Sequence, residues 1–249
     1  MALQLLETKE IWYCVSLKNW DNKTWLSSRK YIESFNDFLL KQIRLNRDSQ
    51  ILDIGCGRGK ILGFLYSKLR LKIKPIGIDI EIHKDRDKKI NFKKIDAIKY
   101  LKNNNKKFDL ILIKQTIHLL NFMEIKKLIS LCKAKLKKEG KILIFSLETS
   151  KNEIPTFFLM KKRLKTSLNR DKKIITFLSK LYPNIKKKKF SFKVIISTKK
   201  YMEMIKNRYI STLLSMSNNQ ILKGIDEINL NYRKILNFND KLICLILNK

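Results

Sequence analysis

The sequence predicts an α/β fold built on a mostly parallel sheet with helices on both faces. From Ile51 onward, short apolar runs alternate with amphipathic, lysine-rich stretches, which is the pattern of strands joined by crossover helices. The apolar runs are rich in Ile, Leu and Phe, as expected of strands that are buried on both faces.

Seven apolar runs are predicted to be strands, so the sheet is expected to have seven. In chain order they are Ile51–Ile54, Pro75–Asp79, Ile90–Ile95, Phe108–Ile113, Lys141–Leu147, Phe190–Ile196 and Leu242–Leu247. Helical spacing of apolar residues predicts helices over Lys30–Leu45, Lys60–Leu69, Ala97–Asn103, Phe122–Lys138, Ile154–Leu181 and Thr198–Ser215. We expect Gly140 to be the C-cap that ends the fourth of these helices, and the four lysines at 186–189 to form a solvated turn before the sixth strand.

The length and the absence of an internal repeat or a Gly/Ser-rich linker in the sequence favour one domain over residues 1–249. Within it, residues 1–48 are expected to form a helical lid and residues 49–150 the ligand-binding core. Residues 151–249 are expected to supply helical cap insertions and the last two strands.

The chain is strongly basic, with a formal net charge of +33. Such a charge is typical of proteins that bind nucleic acid or anionic membranes. However, Ile, Lys and Asn are abundant along the whole chain while Gly and Pro are scarce, as an AT-rich genome would produce. The sequence favours the compositional explanation and leaves nucleic-acid binding open.

The cysteines indicate neither a metal site nor a disulfide framework, because Cys14, Cys56, Cys132 and Cys244 lie far apart and form no CxxC pair. The N-terminus has no basic region followed by an apolar one, and no apolar run reaches the about 18 residues that a membrane span needs. We therefore expect a soluble, cytoplasmic protein without a bound metal.

The first predicted strand leads into Gly55-Cys-Gly57-Arg-Gly59 and then into a helix. Glycines at this position allow the backbone to approach a ligand closely, because they lack the Cβ that would block it. The fingerprint of dinucleotide-binding folds would place its third glycine at Lys60, and here that glycine is Gly59, so nicotinamide binding is disfavoured. The alternative is a glycine turn that only allows tight strand-to-helix packing.

With Asp53 two residues before the first glycine, this segment resembles motif I of the class I S-adenosylmethionine-dependent methyltransferases. The resemblance implies a Rossmann-like fold and S-adenosylmethionine as the cofactor. It also implies that Gly55, Cys56 and Gly57 lie against the methionine part of the cofactor and that Asp53 anchors its amino group.

The resemblance extends to the ends of the next two strands. Asp79 ends the second strand, where the family places an acid that binds the ribose hydroxyls, with Ile80 beside it and Glu81 as the alternative acid. Asp96 and Ala97 follow the third strand and resemble the family's adenine-binding step. An Asp before a helix is also a common N-cap, and the two roles are compatible.

The residues after the fourth strand are expected to determine the chemistry, because ligands bind at the carboxyl edge of such sheets. Neither the Pro-Pro-aromatic motif of nucleic-acid amino methyltransferases nor the cysteine of cytosine-C5 enzymes occurs here. Gln115 and His118 instead resemble small-molecule methyltransferases of the ubiquinone/menaquinone-biosynthesis and trans-aconitate type. This resemblance implies that Gln115 contacts the cofactor and that His118 is either a general base or a residue that caps the following turn.

Two further segments resemble parts of the family that close over the ligands. The aromatic and basic segment from Trp20 to Tyr31 would fold over the cofactor, where Arg29 could pair with the cofactor carboxylate. Residues 201–226 resemble the cap between the last two strands. For Arg29 a role as an ordinary surface cation is an equal alternative.

The sequence therefore predicts an enzyme that transfers a methyl group from S-adenosylmethionine to a small-molecule acceptor by direct displacement. Two alternatives remain open. The first is an RNA methyltransferase that uses the basic surface, and the second is a protein that binds S-adenosylmethionine without turnover.

Overall fold

The computed structural model describes residues 24–249, so the part of the predicted lid before Thr24, including Trp20, lies outside the described residues. The strands are β1 (Ile51–Ile54), β2 (Ile76–Asp79), β3 (Asn91–Lys94), β4 (Phe108–Lys114), β5 (Leu136–Leu147), β6 (Lys186–Ser197) and β7 (Ile235–Asn248). The helices are α1 (Arg29–Gln42), α2 (Lys60–Leu69), α3 (Ala97–Lys102), α4 (Phe122–Ala134), α5 (Phe158–Leu181), α6 (Thr198–Lys206), α7 (Ser211–Leu214) and α8 (Asn218–Asn231). Short 3₁₀ turns cover Trp25–Ser27 and Ile117–Leu119.

The seven strands form one sheet in the order β3-β2-β1-β4-β5-β7-β6. The prediction of an α/β fold with a seven-stranded sheet is therefore confirmed. The sheet is mixed: β1 to β5 pair in parallel, whereas β7 pairs antiparallel with both β5 and β6. Of the seven strands in residues 24–249, six thus share one direction and β7 is reversed.

The core lies in two layers, one on each face of the sheet. In β4, Leu110 and Leu112 belong to one layer, and Ile111 and Ile113 belong to the other. This alternation follows from the period of two along a strand. The first layer is covered by α1, whose aromatic side chains Tyr31 and Phe35 have no exposed surface, and the second is covered by α3, α4 and part of α5.

The helix that begins at Phe122 is predicted to extend to Lys138, and this predicted end is wrong. Helix α4 ends at Ala134, and the residues from Leu136 onward form the start of β5, with Leu136 fully buried opposite Phe108. Gly140 is therefore inside a strand and caps no helix. A Cβ at this position would lie 2.6 Å from the carbonyl oxygen of Phe108, so the glycine permits close approach of β4.

The lysines at 186–189 are also not a turn, because they are the first four residues of β6 and pair with residues 243–246 of β7. All four side chains are exposed, and β6 is the edge strand of the sheet. Charged side chains on an edge strand discourage pairing with a strand of another molecule.

The cap region between β5 and β7 consists of α5 to α8 with β6 between α5 and α6. Residues 198–215 form two helices where the sequence predicts one. The break lies next to Arg208, whose φ of 54° is left-handed, and the Arg208 guanidinium donates to the Met216 carbonyl oxygen and to the Asn218 side chain. Within residues 24–249, no helix is both long enough and apolar enough to cross a membrane.

Candidate functional site

The glycine loop lies at the carboxyl edge of the sheet, between β1 and β4. These neighbours are where the strand order reverses, which is the position of the ligand crevice in open α/β sheets. All three glycines of the loop have left-handed backbone, with φ of 73° at Gly55, 53° at Gly57 and 67° at Gly59. Other residues adopt this conformation only with strain.

Gly55 and Gly57 differ in what surrounds them. A Cβ at Gly55 would lie 2.1 Å from the hydroxyl oxygen of Thr116, so Gly55 allows the residues after β4 to cover the loop. A Cβ at Gly57 would meet nothing within 4 Å among the described residues. The backbone at Gly57 thus borders open space, as a ligand cradle requires.

Asp79 connects the end of β2 to this loop. Its Oδ2 accepts a hydrogen bond from the Gly57 amide at 2.8 Å, and its Oδ1 accepts one from the Glu81 amide at 3.0 Å. A carboxylate has about four acceptor sites, so both oxygens retain capacity for hydroxyl donors. Asp79 therefore both holds the loop in shape and remains available to a ligand.

Asp53 is buried beneath the loop with 3% of its surface exposed. Its Oδ1 has no hydrogen-bond partner among the described residues. Burial raises the pKa of Asp53 to about 7, against the lowering effect of the Lys114 charge, and the Asp79 charge raises it further. A buried carboxylate oxygen without a donor is costly in a folded protein, and a bound ammonium group would satisfy it.

The structure adds two charged residues that the sequence analysis did not identify, Lys114 and Asp240. Burial lowers the pKa of Lys114, while the charges of Asp240 and Asp53 raise it. The ammonium of Lys114 lies 5.5 Å from the ring centroids of both Tyr31 and Phe35, within range of a cation–π interaction. A lysine directly after the apolar run Leu110–Ile113 was the signal in the sequence.

Asp53, Lys114 and Asp240 lie on the same face of the sheet, because side chains alternate between the two faces along each strand. Asp53 is in register with Leu112 of β4, and Lys114 lies two residues further along β4 on the same face. In β7, Asp240 shares the face of Phe238 and Leu242, which belong to the layer covered by α1. Its Oδ2 accepts a hydrogen bond from the Trp25 indole at 2.9 Å.

The remaining residues predicted to bind the cofactor are spread along the same edge. Asp96 caps α3 by accepting from the Lys99 amide at 2.9 Å, and Ala97 is the first residue of that helix. The Ile95 amide donates to the Asp79 carbonyl oxygen, which joins this step to the end of β2. The side chain of Ile80, next to Asp79, is exposed.

Arg29 lies at the first position of α1, and its side chain is largely exposed. It forms an ion pair with Glu33, with 2.7 Å between the guanidinium Nε and the carboxylate Oε1. The structure thus places Arg29 at the surface in contact with its own helix, and its predicted contact with a cofactor carboxylate remains a prediction.

Gln115 and His118 lie just beyond β4. Gln115 has a left-handed φ of 53°, which costs a residue with a side chain about 1 kcal/mol or more and is common at functional sites. Its backbone amide donates to the Phe145 carbonyl oxygen. Burial lowers the pKa of His118 to about 4, and the nearby Arg170 charge lowers it further. The imidazole is therefore neutral at physiological pH.

Both of these side chains line a cavity of about 470 Å³ between the carboxyl edge of the sheet and the cap. The cap contributes one face of α5, together with α7 and the residues that flank it. Trp25 and Asp240 also line the cavity, so it adjoins the charged cluster beside the glycine loop. Among residues 24–249, no group of three or more His, Cys, Asp and Glu side chains is arranged to hold a metal ion.

Comparison with known proteins agrees with this geometry. Residues 51–140 match a family model described as a methyltransferase domain. The match extends from β1 into β5 and includes the glycine loop, Asp79, Asp96, Gln115 and His118. A search of curated proteins returned no match.

Solved structures of methyltransferases share the overall fold. A methyltransferase from Thiobacillus denitrificans, in complex with S-adenosyl-L-homocysteine, aligns with a TM-score of 0.56 at 13% identity, over 94% of this chain and 97% of that one. A methyltransferase from Archaeoglobus fulgidus aligns with a TM-score of 0.50 at 23% identity, over 88% and 94%. A plantazolicin methyltransferase aligns with a TM-score of 0.51 at 18% identity, over 98% and 99%.

The overall fold, including the reversed strand β7, is thus shared with solved structures of S-adenosylmethionine-dependent methyltransferases. Residues 51–140, which carry the glycine loop, match the methyltransferase domain, and S-adenosylmethionine is the cofactor that this domain indicates.

Proposed function

We propose that the protein transfers the methyl group of S-adenosylmethionine to a small molecule bound in the cavity beneath the cap. The observation that carries the proposal is the cavity itself. Its volume of about 470 Å³ lies within the range typical of small-molecule sites. Gln115 and His118 line the cavity on either side of Thr116, which covers the glycine loop, so the cavity lies next to that loop. The ubiquinone/menaquinone-biosynthesis and trans-aconitate enzymes are the group we favour on the Gln115–His118 pattern, and the cytoplasm is the compartment we favour.

The residues present fit the cofactor. In this proposal Gly55, Cys56 and Gly57 lie along the methionine part, where the backbone at Gly57 borders open space. Asp53 accepts hydrogen bonds from the amino group, which supplies the donor that its Oδ1 lacks. When bound, the cofactor supplies an electrophilic methyl group on its sulfonium sulfur.

Further along the edge, Asp79 binds the ribose hydroxyls, and Asp96 with Ala97 contacts the adenine. Ile80 packs beside the nucleoside, while Gln115 and Arg29 complete the proposed cofactor contacts. All of these residues except Arg29 lie at the end of β1, β2, β3 or β4 or directly after it, along the carboxyl edge of one sheet.

This chain contributes mainly orientation to the reaction. The cavity holds the acceptor on the side of Gln115 and His118, and holding two reactants in line can by itself lower the barrier by several kcal/mol. His118 is neutral, so its unprotonated ring nitrogen can accept a proton from the acceptor as the new bond to the methyl group forms.

Replacing Asp79 tests the ribose role. We expect Asp79→Ala to weaken binding of S-adenosylhomocysteine by about 1–3 kcal/mol, because it removes charged acceptors from two hydroxyls. The variant also loses the hydrogen bond to the Gly57 amide. Calorimetry measures the effect, with Asp79→Asn as the matched variant that keeps an acceptor oxygen. Unchanged affinity in folded Asp79→Ala would transfer the role to Glu81.

Replacing His118 tests the catalytic role. We expect His118→Ala to lower kcat by about 10-fold to 100-fold, since a base with a pKa near 4 assists proton removal only modestly. Because His118 stays neutral, the pH–rate profile of the wild type should show no inflection from this residue between about pH 5.5 and 8. An inflection near 6.5 that disappears in His118→Gln would contradict the assignment.

A labelling experiment tests the function as a whole. The purified protein is incubated with methyl-labelled S-adenosylmethionine and a cell extract, and the label is then followed into small-molecule and RNA fractions. We expect the label in the small-molecule fraction. Calorimetry with S-adenosylhomocysteine and with NAD is the companion measurement, and binding of NAD alone would refute the cofactor assignment.

The RNA alternative rests on a specific observation, the exposed lysines at 186–189 on the edge strand in a chain of net charge +33. Charge alone gives sequence-independent adhesion that fades steeply with salt. Binding of RNA at low salt is therefore compatible with a small-molecule acceptor. Label in RNA at near-physiological salt that depends on His118 or Gln115 would establish the alternative. Binding of the cofactor with no labelled fraction would favour the non-catalytic alternative.

A further inference from the structure

The cavity beneath the cap has two chemically different walls. One wall is mainly apolar, with Trp25, Leu147, Ile154 and Tyr209, and the carboxylate of Asp240 lies beside the Trp25 indole. Trp25 and Tyr209 meet edge to face, with 5.2 Å between their ring centroids. The other wall is a polar face of α5 that runs from Arg163 to Asp171.

The two arginines of the polar wall are already used to hold α5 in place. Arg163 donates from Nη1 to the Ser215 hydroxyl at 2.6 Å, and Arg170 donates from Nη2 to the Leu120 carbonyl oxygen at 2.9 Å. These bonds tie α5 to the residue that follows α7 and to the residues after β4. Both arginines thus shape the cavity through contacts with the protein itself.

Asp171 differs from the arginines. Only 5% of its surface is exposed, and its Oδ1 has no hydrogen-bond partner among the described residues. It occupies a core-facing position of α5, at helical spacing from Leu164, Ile174 and Leu178. An apolar side chain would be the stable choice there, because a buried carboxylate without a full set of donors destabilises the fold.

A second unpartnered group lies on the same cavity. Thr212 of α7 is 7% exposed, and its hydroxyl oxygen has no partner among residues 24–249. Helix α7 packs against α5. Two buried oxygens without partners on adjoining cap helices indicate that the hydrogen-bond donor comes from a ligand.

Building on the proposed function, we propose that the methyl acceptor carries a basic nitrogen group, an amine, amidine or guanidine, that binds Asp171. A protonated nitrogen supplies the N–H donors that Oδ1 of the buried carboxylate lacks, and its positive charge adds to that of the nearby Arg170. The Thr212 hydroxyl accepts from the same group, and the apolar part of the acceptor lies on the wall formed by Trp25 and Tyr209. Asp171 is thus the residue that selects the acceptor.

Three probes with the same body and different head groups test this proposal: 4-phenylbutylamine, 4-phenylbutan-1-ol and 4-phenylbutyrate. Each is titrated by calorimetry into the full chain, with and without saturating S-adenosylhomocysteine. We expect the amine to bind at least about tenfold more tightly than the alcohol and the carboxylate. Asp171→Asn should lower the affinity for the amine to that for the alcohol, while Asp226→Asn, an equal charge change at an exposed site on α8, should leave it unchanged.

Several outcomes would overturn the proposal: tightest binding of the carboxylate, equal binding of all three probes, no binding at millimolar concentration, or an amine affinity that Asp171→Asn leaves unchanged. Asp171→Asn is expected to fold, because it removes a buried charge. Failure of S-adenosylhomocysteine to bind would refute the proposed function separately, and the titrations without it would still decide whether Asp171 recognises the amine.

Discussion

Lowering the pH from 7.5 to 5.5 is expected to weaken the binding of S-adenosylhomocysteine by about 20-fold. The cause is Asp53, whose pKa of about 7 means that the carboxyl group loses its charge over this interval. In the proposed site the charged form binds the ligand's amino group, so affinity falls by up to about tenfold for each pH unit below 7. Above pH 7 the carboxylate is ionised and the affinity should level off.

Lowering the pH has the opposite effect on the free protein, because it makes the fold more stable. The pKa of Asp53 is higher in the folded protein than its ordinary value of 3.8, so ionisation of this residue destabilises the fold as the pH rises from about 4 to 7. The ligand's ammonium group relieves that cost. The same burial that makes Asp53 unfavourable in the free protein therefore makes it an effective ligand contact.

Calorimetry across this pH range provides the measurement, and 5′-methylthioadenosine is the matched control. It shares the nucleoside and the sulfur but lacks the amino-acid group, so its affinity should depend little on pH. Asp53→Asn should abolish the pH dependence for S-adenosylhomocysteine. A flat profile for the wild type, or the same slope for both ligands, would assign the pH dependence elsewhere.

Asp171→Asn is expected to raise the free energy of unfolding by up to about 3 kcal/mol at pH 7.5. The pKa of Asp171 is raised to about 6 by burial, against the lowering effect of the Arg170 charge. Compared with 3.8 in the unfolded chain, this difference corresponds to about 3 kcal/mol of destabilisation when the group is ionised. The gain should shrink as the pH falls below 6 and should be less than about 1 kcal/mol near pH 4, where the carboxyl group is protonated in the folded protein and partly protonated in the unfolded chain.

Urea unfolding at pH 7.5 and at pH 4 measures this difference. Asp226→Asn, on the exposed surface of α8, serves as the control and should change the stability by less than about 0.5 kcal/mol. Lower stability of Asp171→Asn at pH 7.5 would show that the carboxylate has a stabilising partner in the free protein. A stability gain joined to a loss of amine binding would show that this acid is retained for recognition at the expense of the fold.

Local sequence patterns were sufficient to predict the parts of the fold that depend on neighbouring residues. The strand Ile51–Ile54 and the helix Lys60–Leu69 have the predicted bounds, because an apolar run, a glycine loop and an amphipathic pattern follow one another without ambiguity. Asp53, Asp79 and Asp96 lie near or just after the carboxyl ends of successive strands, which also predicted their common edge, since parallel strands end on the same side of a sheet. Their individual roles toward the cofactor remain predictions.

Features that depend on residues far apart in the chain could not be predicted and follow from the folded structure. Residues 136–140 and 186–189 look like a helix end and a turn in isolation, and they become strand because β4 and β7 offer them backbone partners. The cluster of Asp53, Lys114 and Asp240 joins three strands that are far apart in the chain. Burial, which raises the pKa of Asp53 and of Asp171 and lowers that of His118, is a property of the packed structure. A linear pattern reports which side chains are present, whereas their charge states follow from how much solvent the fold removes around them.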